Sequence, residues 1–126
     1  MITVVKEFKF EAAHHLPGYD GLCANLHGHS YRLLAGVSGE INPNTGMVLD
    51  FKTLKKVVQP IIDLLDHSYL NKVDKDNFPC EMPTAENMVI WIVETLLNSV
   101  LEDELNVDLE LIRLYETDTS YAEWRA

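Results

Sequence analysis

Residues 10–31 read FEAAHHLPGYDGLCANLHGHSY, and they carry four of the five histidines and one of the two cysteines in the chain. Neutral imidazole and thiolate are the ligands a borderline-soft ion such as Zn²⁺ takes. Strand parity sharpens the reading. In a strand over residues 2–14 successive side chains point to opposite faces, so Ile2, Val4, Phe8, Phe10, Ala12 and His14 share one face. Thr3, Glu7, Lys9, Glu11 and His15 take the other. Beyond Pro17-Gly18 and a loop with Asp20-Gly21, a second run puts His27, His29, Tyr31, Leu33, Ala35 and Val37 on one face. Antiparallel pairing sets the end of the first strand beside the start of the second. The spacing therefore predicts His14 next to His27 and His29 on the covered face, with His15 pointing away.

Three imidazoles converging from one face form the ligand set of a catalytic zinc site, with a fourth position left for water or substrate. A second possibility is a non-catalytic, zinc-stabilised module in which Cys23 is the fourth ligand. A third is polar residues at strand ends, because His-x-His alone is common.

The 126 residues fit one domain, 1–126, with no linker, repeat or apolar run of transmembrane length. The N-terminus, MITVVKEFKF, has charges where a signal peptide needs an unbroken apolar segment, so a cytoplasmic protein is expected. In that compartment a Cys23–Cys80 disulfide is disfavoured. Ten basic against twenty acidic residues give a formal charge of −10, which opposes binding to nucleic acid or to an anionic membrane. An anionic substrate would need a local basic patch or a helix N-terminus, and the sequence does not choose among its lysines and arginines.

Strands are predicted over 2–14 and 28–41, followed by the turn-rich INPNTGM. Asp50 suits the N-cap of a helix whose Leu54, Val57, Val58, Ile61, Ile62 and Leu65 form one apolar stripe, with a kink expected at Pro60 and an end near Asp66 to Tyr69. Residues 71–83 read as an exposed loop. Thr84 caps a second helix from Ala85 to about Glu104, apolar enough to need cover on more than one side. Strands over 107–116 and 119–125 complete a ββααββ order. The fold class is α+β: a four-stranded antiparallel sheet with two helices on one face, its edges protected by symmetric oligomerisation.

Outside the histidine cluster, Asp66 and His67 are neighbours that do not face each other on a regular helix, and a histidine near a helix C-terminus has a simpler, dipole-based reading. Glu116 follows an apolar strand, where a carboxylate pairs with a base, binds ligand N–H groups or frays into solvent. A cysteine beside a metal cation is favoured as the thiolate, which gives Cys23 a use that Cys80 lacks.

FEAAHHL (10–16), C-x₃-HGH (23–29), TGMVLDF (45–51), LDH-x-x-LN (65–71), PTAEN (83–87) and YET (115–117) together resemble, in this order, the 6-pyruvoyl-tetrahydropterin synthase family. The C-x₃-HGH interval is similar to the branch that makes 6-carboxy-5,6,7,8-tetrahydropterin in queuosine biosynthesis. The resemblance implies the tunnelling fold: trimers whose sheets join into a barrel, stacked as a homohexamer with active sites between subunits. It also implies 7,8-dihydroneopterin triphosphate as substrate and Zn²⁺ on His14, His27 and His29. Cys23 then abstracts a proton, Asp66 and His67 complete the relay, and Glu116 holds the pterin ring, with Thr84 and Glu86 lining its pocket. The product is the 6-carboxy compound with acetaldehyde, or, in the biopterin branch, the 6-pyruvoyl compound. Folate-type relatives place a glutamate at or beside the cysteine; here Cys23 is followed by Ala24, which argues against that activity.

Overall fold

The structure, a computed structural model, describes all residues from Met1 to Ala126. Two long strands, β1 (Ile2–His14) and β2 (His27–Gly39), pair antiparallel without interruption from Ile2 opposite Gly39 to His14 opposite His27. Their link begins with a tight turn in which Gly18 takes φ 75° and the Tyr19 N–H donates to the Leu16 carbonyl at 3.2 Å. Proline followed by glycine supplies the fixed and the positive φ that such a turn needs.

The two helices are α1 (Phe51–Leu65) and α2 (Ala85–Leu97), and both start where the sequence predicts. Asp50 accepts from the Lys52 N–H at 2.8 Å, and Thr84 accepts from the Asn87 N–H at 3.2 Å, so each helix has a side-chain N-cap. Helix α1 buries Leu54, Val58, Ile61, Ile62 and Leu65 as one stripe and runs through an exposed Pro60.

Three expectations need correction. The sheet has five strands in the order β3-β1-β2-β4-β5, with β4 (Asp108–Thr117), β5 (Ser120–Arg125) and an extra β3 (Ser68–Tyr69) that runs parallel to β1 beside Ala12 and Ala13. Two residues cannot show an alternation, so β3 left no pattern in the sequence. Helix α2 ends at Leu97 and not near Glu104. The Asn98 amide donates to the Glu94 carbonyl at 3.0 Å and the Ser99 hydroxyl to the Leu96 carbonyl at 2.5 Å, which are local bonds that compete with further helix. Residues 71–83 are not uniformly exposed, since Phe78 and Cys80 are buried and the Phe78 ring meets Trp91 edge-on at 4.8 Å.

Both helices cover the same face of the sheet and form one core with Phe8, Phe10, Tyr31, Leu33, Val37, Ile112 and Leu114. The other face is polar, as parity predicts, with Arg32 paired to Glu7 at 2.8 Å, Arg113 and Arg125 to Glu123, and Ser30 to Glu11. Ile90 and Leu97 of α2 stay exposed, so this helix is covered on one side only within a single chain. No helix is long and apolar enough to cross a membrane.

Candidate metal centre and active site

The β1–β2 ladder sets His14 directly opposite His27, and His29 lies two residues along the same face. The three rings stand 4.5 to 5.0 Å apart between centroids and steeply inclined to one another, with ligating nitrogens all within 4.8 Å. His14 is almost wholly buried, and His27 and His29 are half-buried. Beneath them Tyr31 stacks on Phe10 at 4.8 Å and forms an apolar floor. Burial lowers the pKa of both His14 and His29, which favours the neutral, ligating form of each ring.

Hydrogen bonds at the far side of two rings decide what the near side can do. His14 Nδ1 lies 2.7 Å from the Pro83 carbonyl, and His27 Nδ1 lies 2.8 Å from the Asn25 carbonyl. A carbonyl accepts only, so each Nδ1 carries the proton and each Nε2 presents a lone pair. The two Nε2 atoms nevertheless face each other at 3.0 Å. Two lone pairs at that distance repel unless a cation lies between them, and the carbonyl-anchored imidazole is the usual support of a metal-binding histidine. His29 Nε2 adds a buried nitrogen without a hydrogen-bond partner: Glu116 Oε1 lies 3.2 Å away, but not in hydrogen-bonding alignment. This donor set fits a zinc-like ion.

His15 points away, as predicted, and is braced by the LDH-x-x-LN stretch. The Tyr69 hydroxyl bonds His15 Nδ1 at 2.7 Å, while the Asn71 side chain exchanges bonds of 2.9 and 3.0 Å with the His15 backbone. Cys23 lies on a 3₁₀ turn (Leu22–Ala24) between β1 and β2, half-buried, and its sulfur is not part of the three-histidine cluster. Its backbone carbonyl accepts from the Leu16 N–H at 2.8 Å, which ties the turn to the end of β1. Cys80 is buried away from the cluster, where burial pushes its thiol pKa up.

Asp66 and His67 do meet, because the helix stops at Asp66 and His67 takes a left-handed φ of 56°. His67 Nδ1 lies 3.0 Å from Asp66 Oδ1, and the same carboxylate accepts the Glu11 N–H at 2.9 Å. A left-handed residue just past the C-cap is a common way for a helix to end, and here it turns the His67 ring back onto Asp66. His67 borders an open depression that also includes Glu11, Gly28, His29 and Ser30. Glu86 and Glu116 share a second shallow depression with Ser120 and Tyr121. The Thr84 hydroxyl is engaged as the cap of α2.

The site also depends on groups that sequence reasoning missed, namely the carbonyls of Pro83 and Asn25. Backbone carbonyls carry no letter in a sequence, although Pro83 opens the PTAEN stretch.

A two-layer α+β fold whose covered face ends in three convergent imidazoles, two of them anchored on backbone carbonyls, defines a small protein with the donor set of a metal centre. Residues 3–126 match the family model described as 6-pyruvoyl tetrahydropterin synthase, and the chain belongs to that family of pterin-processing enzymes. It is similar to the 6-carboxy-5,6,7,8-tetrahydropterin synthase of Synechocystis, 39% identical with 98% of this chain and 93% of the relative covered. The protein of that name from Haemophilus influenzae is 34% identical, with 99% of each covered. Among solved structures, Caenorhabditis elegans 6-pyruvoyl tetrahydropterin synthase superposes with a TM-score of 0.84 at 28% identity, covering 99% of this chain and 95% of that one.

Proposed function

We propose that the chain is a zinc-dependent lyase. It converts 7,8-dihydroneopterin triphosphate to 6-carboxy-5,6,7,8-tetrahydropterin, releasing acetaldehyde and triphosphate, within queuosine biosynthesis in the cytoplasm. A single domain, 1–126, works as a homohexamer with active sites between subunits. The observation that carries this reading is the pair of facing Nε2 lone pairs of His14 and His27, 3.0 Å apart beside the unpartnered His29 nitrogen. The names of the two 6-carboxy relatives support the choice of product.

His14, His27 and His29 would hold the ion, which when bound supplies Lewis-acid polarisation of the substrate's side-chain oxygens. Cys23, as thiolate, takes a proton from a side-chain carbon. The electron pair left on carbon expels triphosphate, so that a C–H and a C–O bond break together with the gain of a double bond. Asp66 orients His67, which takes and returns the hydroxyl proton through its exposed ring. Glu116 accepts ring N–H groups of the pterin, and Thr84 and Glu86 line the ring pocket from the start of α2. The two hydrogens of the ring-adjacent carbinol, one from carbon and one from oxygen, pass to the ring C=N bond, which reduces the dihydropterin to the tetrahydro level as that carbon becomes a carbonyl. Cleavage of the next C–C bond, with water consumed, then leaves the ring carboxylate and acetaldehyde.

The structural likeness to the nematode enzyme favours a second reading, 6-pyruvoyl-tetrahydropterin synthase, in which the side chain is retained and rearranged. Incubation of the zinc-loaded protein with dihydroneopterin triphosphate decides between them. Acetaldehyde in step with triphosphate is expected; triphosphate with a pyruvoyl product and no acetaldehyde would establish the second reading instead.

A further inference from the structure

Glu116 stands at the edge of the histidine cluster, beside His29. Its Oε1 lies 3.2 Å from His29 Nε2, yet the two make no hydrogen bond, so their approach is explained by a third atom that both address. Two donors held about 2.0–2.1 Å from one tetrahedral ion stand about 3.3 Å apart. The Glu116–His29 separation of 3.2 Å and the His14–His27 separation of 3.0 Å both approach that tetrahedral edge. The strand supplies the placement, because the β4–β5 ladder slips between Tyr115 and Thr117 and Glu116 is the residue at that irregularity.

We propose that in the substrate-free protein the Glu116 carboxylate is a fourth ligand of the ion held by His14, His27 and His29, and that the substrate displaces it. The inference rests on the metal reading above and deepens it. Three neutral imidazoles leave the full double charge of the ion uncompensated, and a carboxylate at the remaining corner halves it. A ligand that offers oxygens to the ion and N–H groups to the carboxylate replaces both interactions at once. The ion then opens only to a molecule carrying both features, a hydroxylated side chain on a pterin-like ring.

The test uses the full-length protein without substrate. Zinc affinity is measured by chelator competition, and the visible absorption of the cobalt-substituted protein is compared between the parent and Glu116→Gln. Zinc affinity should fall at least about 10-fold, and the cobalt bands should change in position or intensity. Cobalt spectra that superimpose would overturn the proposal, whatever the affinity does. Should Glu116→Gln fail to fold, Glu116→Asp, which keeps the charge and shortens the reach, is read in the same way. Binding of 7,8-dihydroneopterin to the metal-free protein, followed by its fluorescence, tests the ring-holding role separately. Altered cobalt bands with unchanged neopterin binding would sustain the metal ligand and remove Glu116 from the ring, whereas loss of both supports the exchange.

Discussion

Cys23 is where the catalytic reading is most exposed to test. Its sulfur lies outside the three-histidine cluster, so Cys23→Ala should leave zinc content, read by elemental analysis, unchanged. Turnover should fall by about 100-fold or more if the thiolate is the base. Loss of zinc in that variant would point to a Cys-His₃ structural site. Asp66 offers a second test, through pH. The Glu11 N–H holds the Asp66 carboxyl below its ordinary value of 3.8; burial opposes that bond, and His67 adds to it. A carboxylate with a depressed folded-state pKa stabilises the fold above its ordinary pKa, and that contribution is lost as pH falls through the depressed value. Asp66→Asn should therefore melt below the parent at pH 6, and the two thermal curves should converge as pH drops beneath the usual carboxylate range. The histidine triad was legible because parity is a property of letters, and parity alone selects His14 over His15. The carbonyls of Pro83 and Asn25 were not legible, because every residue owns one and only the folded chain shows which are aimed at a ring.

At the scale of elements, the start of α2 serves two purposes within two residues. Pro83 gives its carbonyl to His14, and Thr84 caps the helix that follows. Removing the cap by Thr84→Ala should cost about 1 kcal/mol in chemical denaturation. Because the same backbone turn positions the Pro83 carbonyl, zinc should dissociate faster in this variant, as chelator trapping would show. Unchanged zinc release with the expected loss of stability would confine Thr84 to capping. The long strands and both helix starts were legible because each carries several turns or alternations of pattern or a capping side chain. What failed was short or locally contested. Strand β3 is two residues held by its neighbours, and the end of α2 is decided by Asn98 and Ser99 hydrogen bonds that apolar periodicity overlooks. Phe78 is buried by a distant Trp91, an outcome that a loop-like composition hides.

At the scale of the molecule, the placement of Asp66 and His67 bears on how many chains make a site. Strand β3 covers β1 only at Ala12 and Ala13, so most of the outer edge of β1 keeps unpaired backbone groups, and β5 is the opposite margin of the sheet. Open edges of this length are satisfied when sheets join between copies. Asp66 and His67 sit beside that open β1 edge, tied to Glu11 through its N–H and carbonyl, and His67 is 80% exposed. Cys23 belongs to the turn beyond the ends of β1 and β2. A relay that joins the exposed pair of one copy to the cysteine of its neighbour makes a definite statement about mixtures. Cys23→Ala and His67→Ala should each be inactive alone. When equal amounts are unfolded together and refolded, or dissociated and reassembled, about one quarter of the shared sites should receive both intact residues by chance. Activity near that fraction of the parent is the expected result. If Cys23 and His67 of one chain serve the same site, no mixture of the two variants regains activity, and the oligomer protects sheet edges without completing the chemistry.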